Sequence, residues 1–354
     1  MVTRLLDVAS GGLTYAAAGV SIDAGDDAVA RIRSLADSTT RPGALGTVGG
    51  FGGLFDLGAL RYRDPVLVAT TDGVGTKINV AREVGRFDTI GVDLVAMLVD
   101  DLVCVGAEPL FVLDYVAVGS LDPARVAEVV AGVAEGCRVA GAALLGGETA
   151  EHPGAMKPDD LDLAGFALGV VERDRTLGPE RVRAGDRLLG LPSTGLRSNG
   201  YSLVRRVFGS DYGALDRPAY PGATVTLADE LLRPSVIYAP AVLSLTRDLG
   251  LGVHAVAHVT GGGIVGNVPR LLPDGHDAVI DMESFATPEI FFEVQRRGSV
   301  SADEMVRVFN CGLGMVVAVD PEVADAAVSL ARAAGHAASL VGEVRAGRGE
   351  VVLV

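Results

Sequence analysis

The chain has few of the features that mark nucleic-acid-binding or membrane proteins. Tryptophan is absent, aromatic residues make up 5%, and only Lys77 and Lys157 among the 30 basic residues are lysine. The net charge of −15 argues against wrapping nucleic acid or docking on anionic lipid. No stretch reaches about 18 uninterrupted apolar residues, so no membrane span is expected.

Signals for secretion are also missing. The N-terminal "MVTRLLDVAS" has no apolar run of the kind found in a signal peptide. The three cysteines, at positions 104, 137 and 311, show no C-x-x-C spacing and lie among apolar residues. We expect reduced core cysteines and a cytoplasmic protein.

Hydrophobic residues make up 49% of the 354 residues, which is enough for two cores. Strand patterns at 65–70 and 109–118 alternate with helix patterns at 89–107 and 121–142, the last opened by Asp122 and Pro123. After the charged, Pro/Gly-containing segment 172–187, strand and helix patterns begin again. The sequence predicts an α/β (α+β) chain with an N-terminal domain at 1–172 and a C-terminal domain at 173–354.

The stretch "TTDGVGTKINV" follows a predicted buried strand and combines glycines with one acid and one lysine. Its order differs from that of a P-loop, in which the lysine precedes the hydroxyl residue. Asp72 could reach a phosphate through a bound Mg²⁺, or it could cap a plain strand-to-helix turn. The residues alone leave both interpretations open.

A glycine-rich segment, "GGFGG" at 49–53, lies within residues 41–57. Such a run can be a flexible linker, but linkers rarely carry apolar residues such as Phe51, Leu54 and Phe55. The composition favours a loop that closes over a phosphate.

The apolar helix pattern at 89–107 carries three acids, Asp93, Asp100 and Asp101. A buried carboxylate needs a metal or an arginine partner, since an unpaired one costs several kcal/mol. A metal is favoured for Asp100 and Asp101, and a helix-start or core salt-bridge role for Asp93. Glu148, in the acidic loop 144–154, is a further candidate ligand.

In the second half, segments 193–206 and 258–270 each run from a strand through small residues into a helix. A helix N-terminus of this kind can bind an anion. Each signal is weak alone, and together they predict a chain with several anion-binding loops.

These stretches together resemble the phosphoribosylformylglycinamidine cyclo-ligase family. The matching motifs cover nearly the whole chain, in order: "AGVSIDAG" (18–25), "GGFGG" (49–53), "TDGVGTK" (71–77), "GVDLVAMLVDDLV" (91–103), "GAEPLFVLDY" (106–115), "GGETAEHPG" (146–154), "SNGYSLVR" (198–205), "HVTGGG" (258–263) and "FNCGLGMV" (309–316).

The resemblance implies an ATP- and Mg²⁺-dependent enzyme of purine biosynthesis. It would convert formylglycinamidine ribonucleotide to 5-aminoimidazole ribonucleotide, with release of ADP and phosphate. It also implies a two-domain synthetase fold in which the N-terminal sheets of a homodimer pair, with ATP near that interface.

The resemblance also implies roles for residues. Those implied to bind ATP or its phosphates are Gly49, Gly50, Phe51, Gly52, Gly53, Asp72, Gly73, Gly75, Thr76 and Lys77. Those implied to bind metal are Asp72, Asp100, Asp101 and Glu148. Those implied to face the substrate are Ser198, Asn199, Gly200, Thr260, Gly261, Gly262 and Gly263. Those implied to take part in catalysis are Lys77, Asp101, Arg197 and Asn199.

The chain departs from the family pattern at two of these positions. Arg197 stands where relatives often carry histidine, so charge stabilisation there is expected and proton transfer is not. Asp100 stands where many relatives have asparagine, which makes Asp101 the safer metal ligand.

Related functions on the same fold are the alternatives. A selenophosphate synthetase usually has a reactive residue near its N-terminus, whereas the first cysteine here is Cys104. A thiamine-monophosphate kinase, a non-catalytic hydrogenase-maturation partner and an ATP-binding regulatory module are the others. The maturation partner works through a C-terminal cysteine, and this chain ends in "EVVLV".

Overall fold

The computed structural model describes residues 12–46, 48–209 and 215–354. The N-terminal stretch 1–11, in which no signal-peptide pattern was found, lies outside the described residues. The strands are β1 (Ala44–Leu45), β2 (Leu54–Phe55), β3 (Pro65–Gly73), β4 (Glu108–Val118), β5 (Ala143–Glu151), β6 (Leu161–Glu172), β7 (Arg187–Pro192), β8 (Val253–His258), β9 (His276–Ile280), β10 (Leu313–Val319), β11 (Ser339–Ala346) and β12 (Val351–Leu353). The helices are α1 (Ile22–Asp37), α2 (Ile78–Val84), α3 (Asp88–Cys104), α4 (Pro123–Ala140), α5 (Tyr201–Phe208), α6 (Leu227–Leu231), α7 (Ala239–Leu249), α8 (Gly263–Asn267), α9 (Glu289–Gly298), α10 (Ala302–Val308) and α11 (Ala324–Ala333).

The strands form two main sheets, as expected for a mixed α/β chain. The first has four strands in the order β3-β6-β4-β5, and only the β4–β5 pair is parallel. The second has six strands in the order β12-β9-β11-β7-β10-β8, and only the β12–β9 pair is parallel. The first sheet draws its strands from residues 65–172 and the second from residues 187–353.

Helices α3 and α4 cover one face of the first sheet. In α4, Asp122 caps the N-terminus by accepting from the backbone N–H groups of Ala124 and Arg125, as the sequence predicts. Helices α3 and α4 approach closely where two glycines meet. A Cβ atom on Gly91 would lie 2.3 Å from the backbone nitrogen of Val133, and one on Gly132 would lie 2.1 Å from the backbone oxygen of Asp88.

The opposite face of the first sheet, which we call the outer sheet face, carries Leu67, Thr71, Tyr115, Phe166 and Leu168. Thr71 pairs with Phe166 across the β3–β6 ladder, and strand alternation places the others on the same side. Leu67 is 54% exposed and Tyr115 39%. No helix of the described residues packs over this apolar face as α3 and α4 pack over the other.

All three cysteines are free, as predicted; Cys137 and Cys311 lie in the core, whereas Cys104 is only partly buried. Within the described ranges, no helix is long and apolar enough to cross a membrane.

Candidate active site

Helix α3 carries the predicted acids into the contact with the second half of the chain. Its side chains at Asp93 and Asp100 are fully buried, whereas the side chain of Asp101 is 48% exposed. A 3.6-residue period separates adjacent positions by about 100°, so Asp101 points away from Asp100. The three acids therefore have different surroundings and different roles.

Asp93 forms a buried ion pair with Lys77, whose Nζ lies 2.6 Å from the Asp93 carboxylate. Asp93 also accepts hydrogen bonds from the backbone N–H and the hydroxyl group of Ser235, at 2.9 and 2.6 Å. Burial lowers the pKa of Lys77 and raises the pKa of Asp93, and their mutual attraction opposes both shifts. The core salt-bridge role predicted for Asp93 is confirmed.

This pairing corrects the assignment of Lys77 to phosphate and to catalysis. Its Nζ also donates to the backbone oxygens of Arg197 and Arg233, at 3.1 and 2.7 Å, and its side chain is fully buried. Three acceptors use all three N–H groups of the ammonium, so none is left for a ligand. We therefore assign Lys77 to the contact between the two halves of the chain.

Asp100 is likewise corrected from metal ligand to structural partner. One of its oxygens accepts from Arg197, at 3.0 Å, and the other from the backbone N–H groups of Tyr238 and Ala239, at 2.7 and 3.0 Å. Neither oxygen is open to a cation. An arginine partner is the alternative to a metal for a buried carboxylate, and this is the arrangement found.

Arg197 binds negative charge, as predicted, but the charge belongs to Asp100 rather than to a ligand. Its guanidinium group is buried, lies over the Tyr238 ring and donates to the backbone oxygen of Val236. Its φ of +61° is unusual for a residue with a side chain. The bond from Lys77 to its backbone oxygen and the bond to Asp100 hold it there, so the side chain predicted to act in catalysis is paired inside the protein.

Asp101 and Asp72 remain accessible. Asp72 accepts from the Gly73 N–H at 2.7 Å, and burial raises the pKa of its carboxyl group, with a further contribution from the nearby charge of Asp101. Asp101 lies 2.8 Å from Nδ1 of His258. Two carboxylates that repel each other form a place where a divalent cation would be stabilised.

His258 was not identified from the sequence as a site residue. It ends strand β8 and is buried, and its Nε2 atom has no hydrogen-bond partner among the described residues, although Asp100 lies 3.8 Å away. The one feature of the sequence that could have pointed to His258 is its position shortly before the Thr260–Gly263 loop. Proximity to Asp101 depends on the packing of α3 against β8, which no local pattern reveals.

Three of the predicted loops converge at this point. Thr76 lies 3.4 Å from Ser202 between their hydroxyl oxygens, and the Ser198 hydroxyl group lies 3.5 Å from the backbone oxygen of Val74. A Cβ atom on Gly261 would lie 3.4 Å from the side-chain oxygen of Asn199. The structure therefore brings the loop after β3, the loop before α5 and the loop after β8 together.

The last of these loops, residues 260–263, is organised by a buried amide. Nδ2 of Asn267 lies within hydrogen-bond distance of the backbone oxygens of Thr260, Gly261 and Gly263, at 3.3, 3.2 and 2.9 Å. Gly262 and Gly263 have φ values of +100° and +62°, and a Cβ atom on Gly263 would lie 2.1 Å from the backbone oxygen of Val306. Glycine is thus required at Gly263 by space as well as by conformation.

Residues Gly49–Gly53 line a cavity of about 570 Å³, the glycine-loop cavity, together with α1, β4 and β5. Glu148, on β5, also lines it, and Phe51 is fully exposed beside it. A larger cavity, of about 930 Å³, lies at the other end of β4 and β6 and contains none of the predicted site residues. We therefore place the candidate site at the converging loops and the glycine-loop cavity.

Glu148 does not join Asp72 and Asp101 in a common cluster. Among the residues that the structure describes, no group of three or more histidine, cysteine or acidic side chains is arranged to hold a metal. The four predicted metal ligands therefore do not lie together. Of the four, only Asp72 and Asp101 are both near each other and accessible.

The two sheets and the converging glycine-rich loops define the class of AIR synthase-related proteins. Residues 56–171 match the family described as "AIR synthase related protein, N-terminal domain", and residues 183–354 match its C-terminal counterpart. A phosphoribosylformylglycinamidine cyclo-ligase of Geobacter sulfurreducens is 49% identical over 94% of this chain and 95% of its own. One of Geotalea daltonii is 48% identical over the same shares. The chain belongs to the phosphoribosylformylglycinamidine cyclo-ligase family.

Solved structures share the fold at lower identity. A thiamine-monophosphate kinase from Stenotrophomonas maltophilia has a TM-score of 0.67 at 20% identity, over 92% of this chain and 95% of that one. A hydrogenase maturation protein HypE in complex with ATP has a TM-score of 0.62 at 19% identity, over 86% and 84%. At these identities the likeness shows the fold alone.

The buried ion pair of Lys77 and Asp93 leads to a prediction about the stability of the protein. Lys77→Met should leave Asp93 buried without its counter-charge and lower the free energy of unfolding by about 3–5 kcal/mol. Adding Asp93→Asn should recover part of the loss, because the amide oxygen can still accept from Ser235. Denaturant unfolding measures both variants, with Lys157→Met, the exposed lysine, as the control. If the Lys77→Met protein kept wild-type stability but no longer bound ATP, Lys77 would have to be assigned to phosphate binding after all.

Proposed function

We propose that the protein closes the imidazole ring of 5-aminoimidazole ribonucleotide, with formylglycinamidine ribonucleotide and ATP as substrates and ADP and phosphate as further products. The observation that carries this proposal is the near 50% identity to proteins named for that activity over almost the whole chain. The convergence of the loops at 72–77, 197–202 and 260–263 supports it, because these loops provide the backbone N–H groups and small residues that phosphorylated ligands need.

The chemistry needs activation of a poor leaving group. Phosphorylation of the formyl oxygen by ATP gives an iminophosphate, an amidine nitrogen attacks the same carbon, and phosphate leaves as the ring closes. The protein contributes positioning and charge stabilisation, as in other phosphoryl transfers. Ser198, Asn199 and the loop Thr260–Gly263 are proposed to hold the ribonucleotide.

Asp72 and Asp101 are the residues proposed to hold Mg²⁺. Mg²⁺ commonly takes one or two protein carboxylates and fills its other positions with water and substrate phosphates, so two accessible acids fit it. Bound there, the cation would neutralise charge on the transferred phosphoryl group. His258 fixes the orientation of the Asp101 carboxylate through its Nδ1 contact.

A homodimer is proposed from the outer sheet face. An apolar sheet face of this kind is normally covered, and sheet pairing between two copies covers it in both. The face belongs to the same sheet that carries Asp72, so pairing would bring a second copy near the candidate site. The domain boundary proposed between residues 172 and 173 coincides with the end of β6 at Glu172, the last strand of the first sheet.

The first prediction concerns the reaction itself. ADP release should require Mg²⁺ and formylglycinamidine ribonucleotide together, and should be matched by formation of the aminoimidazole product. A coupled ADP assay with each component omitted in turn provides the measurement. Comparable ATP consumption with thiamine monophosphate or selenide in place of the ribonucleotide would contradict the proposal.

The second prediction separates Asp101 from its buried neighbour. Asp101→Asn should lower kcat by at least about a hundredfold, since loss of a metal contact removes several kcal/mol of transition-state stabilisation, with little change in the melting temperature. Asp93→Asn should lower stability while the folded fraction keeps most of its turnover. Equal, mild effects of both variants at saturating Mg²⁺ would show that the metal is held elsewhere.

The third prediction concerns assembly. Sedimentation should show a dimer, and Leu67→Asp should shift it to a monomer of about 36.3 kDa because a charge would be buried at the pairing surface. Leu251→Asp, at an exposed position outside the first sheet, is the matched control and should stay dimeric. A fully active wild-type monomer would refute the proposal.

A further inference from the structure

The glycine-loop cavity contains an acid that no part of the proposed mechanism uses. Asp114, on β4, is 9% exposed, and its Oδ2 atom is buried without a hydrogen-bond partner among the described residues. It lies on the inner face of the first sheet, opposite Gly147 on the edge strand β5. A Cβ atom on Gly147 would lie 1.7 Å from Oδ1 of Asp114, so this glycine leaves room for the carboxyl group at the cavity wall.

The lining of this cavity is unsuited to phosphate. Apolar side chains from α1 and from the strands form most of it, including Val29, Ile32 and Leu144. Its charged residues are Asp114 and Glu148, and neither lysine nor arginine is among its described lining residues. Phosphate groups would be repelled there, whereas a planar heterocycle with a few polar atoms is stabilised by such walls.

We propose that Asp114 reads the base of the bound nucleotide, with its carboxylic acid pairing with the adenine edge inside the glycine-loop cavity. The inference rests on the proposed use of ATP. The Gly49–Gly53 loop, at the mouth of the same cavity, is then free to contact the phosphates outside it.

The hydrogen-bonding pattern of a carboxylic acid matches adenine. The acid offers one O–H donor and one carbonyl acceptor, and adenine offers the acceptor N1 beside the donor 6-amino group. Burial raises the pKa of the Asp114 carboxyl to about 7, so the acid form is present at and below neutral pH. A guanine edge adds a second donor, the 2-amino group, which this acid form would leave unpaired in an apolar cavity.

The ionised form has the opposite preference. A carboxylate only accepts, and the two adjacent donors of guanine, N1–H and the 2-amino group, match it. Discrimination in favour of adenine should therefore fall as the pH rises through about 7. The titratable group that faces Asp114 is Cys137 on α4. Glu148 lines the same cavity but pairs with Tyr115 in the β4–β5 ladder, on the other face of the sheet, and the lining residues from α1 and the glycine loop include no titratable group.

The test compares ATP with GTP as the ratio of their kcat/KM values between pH 6 and pH 8. The two nucleotides share the same triphosphate and the same Mg²⁺ requirement, so titrations common to both cancel in the ratio. The wild-type ratio should fall by about tenfold across this range as Asp114 ionises. In Asp114→Asn, whose amide offers the same donor and acceptor as the acid, the ratio should stay high and constant.

Asp114→Val removes both hydrogen bonds and should lower the ratio at pH 6 by about tenfold or more, since a site built for hydrogen bonds discriminates strongly. If Asp114→Val does not fold, the pH dependence of the ATP/GTP ratio in the wild type and in Asp114→Asn is sufficient to test the inference. A flat wild-type ratio, or an Asn variant that follows the wild-type pH dependence, would overturn the inference.

The proposed reaction and the base readout can fail separately. Absence of the aminoimidazole product with ATP would refute the proposed function, and the preference for ATP over GTP could still be measured as the shift in melting temperature that each nucleotide causes. Equal shifts from ATP and GTP at pH 6 in the wild type would refute the role of Asp114.

Discussion

The contact between the two halves of the chain depends on two buried ion pairs along one helix. Arg197 with Asp100 joins α3 directly to the second half of the chain. Lys77 with Asp93 does so indirectly, because Lys77 also donates to the backbone oxygens of Arg197 and Arg233, and Asp93 accepts from Ser235. Each charge also has hydrogen-bond partners, which offset much of the cost of removing it from water. The pairs fix the register of α3 against the second half, and the loops at 72–77 and 197–202 meet in consequence.

One helix thereby serves both structure and chemistry. The face of α3 with Asp93 and Asp100 binds the second half of the chain, and the adjacent Asp101 remains half exposed beside Asp72 and His258. The buried ion pair of Asp100 and the metal-binding role proposed for Asp101 are thus separated by one residue, about 100° of helical rotation. A carboxylate held in place by a histidine would lose little conformational entropy on binding a cation, which suits the Mg²⁺ site proposed at Asp72 and Asp101.

Much of the fold could be predicted from local patterns. The strands predicted at 65–70 and 109–118 lie where period and composition indicate, and α4 begins at the residue that Asp122 and Pro123 predict. Helix α3 ends at Cys104, three residues before the end of its apolar pattern, because the chain turns at Gly106 with a φ of +81°. Apolar periodicity records burial, and burial can continue past the end of a helix.

The sequence by itself determined the family, the fold class and the set of loops that carry polar and small residues, because these depend on residue types in a fixed order. Only the tertiary structure decided which of the charged residues are paired within the protein and which remain accessible. Lys77 and Asp100 resemble ligand-binding residues in the sequence. In the structure, an ion pair together with backbone groups from the second half of the chain occupies the ammonium group of Lys77 and both oxygens of Asp100. In the sequence, Asp114 is simply one polar residue in a strand. Its proposed role follows only from the structure, in which Gly147 leaves room for its carboxyl group at the wall of a cavity. A side chain's partners come from distant parts of the chain, and local sequence does not specify them.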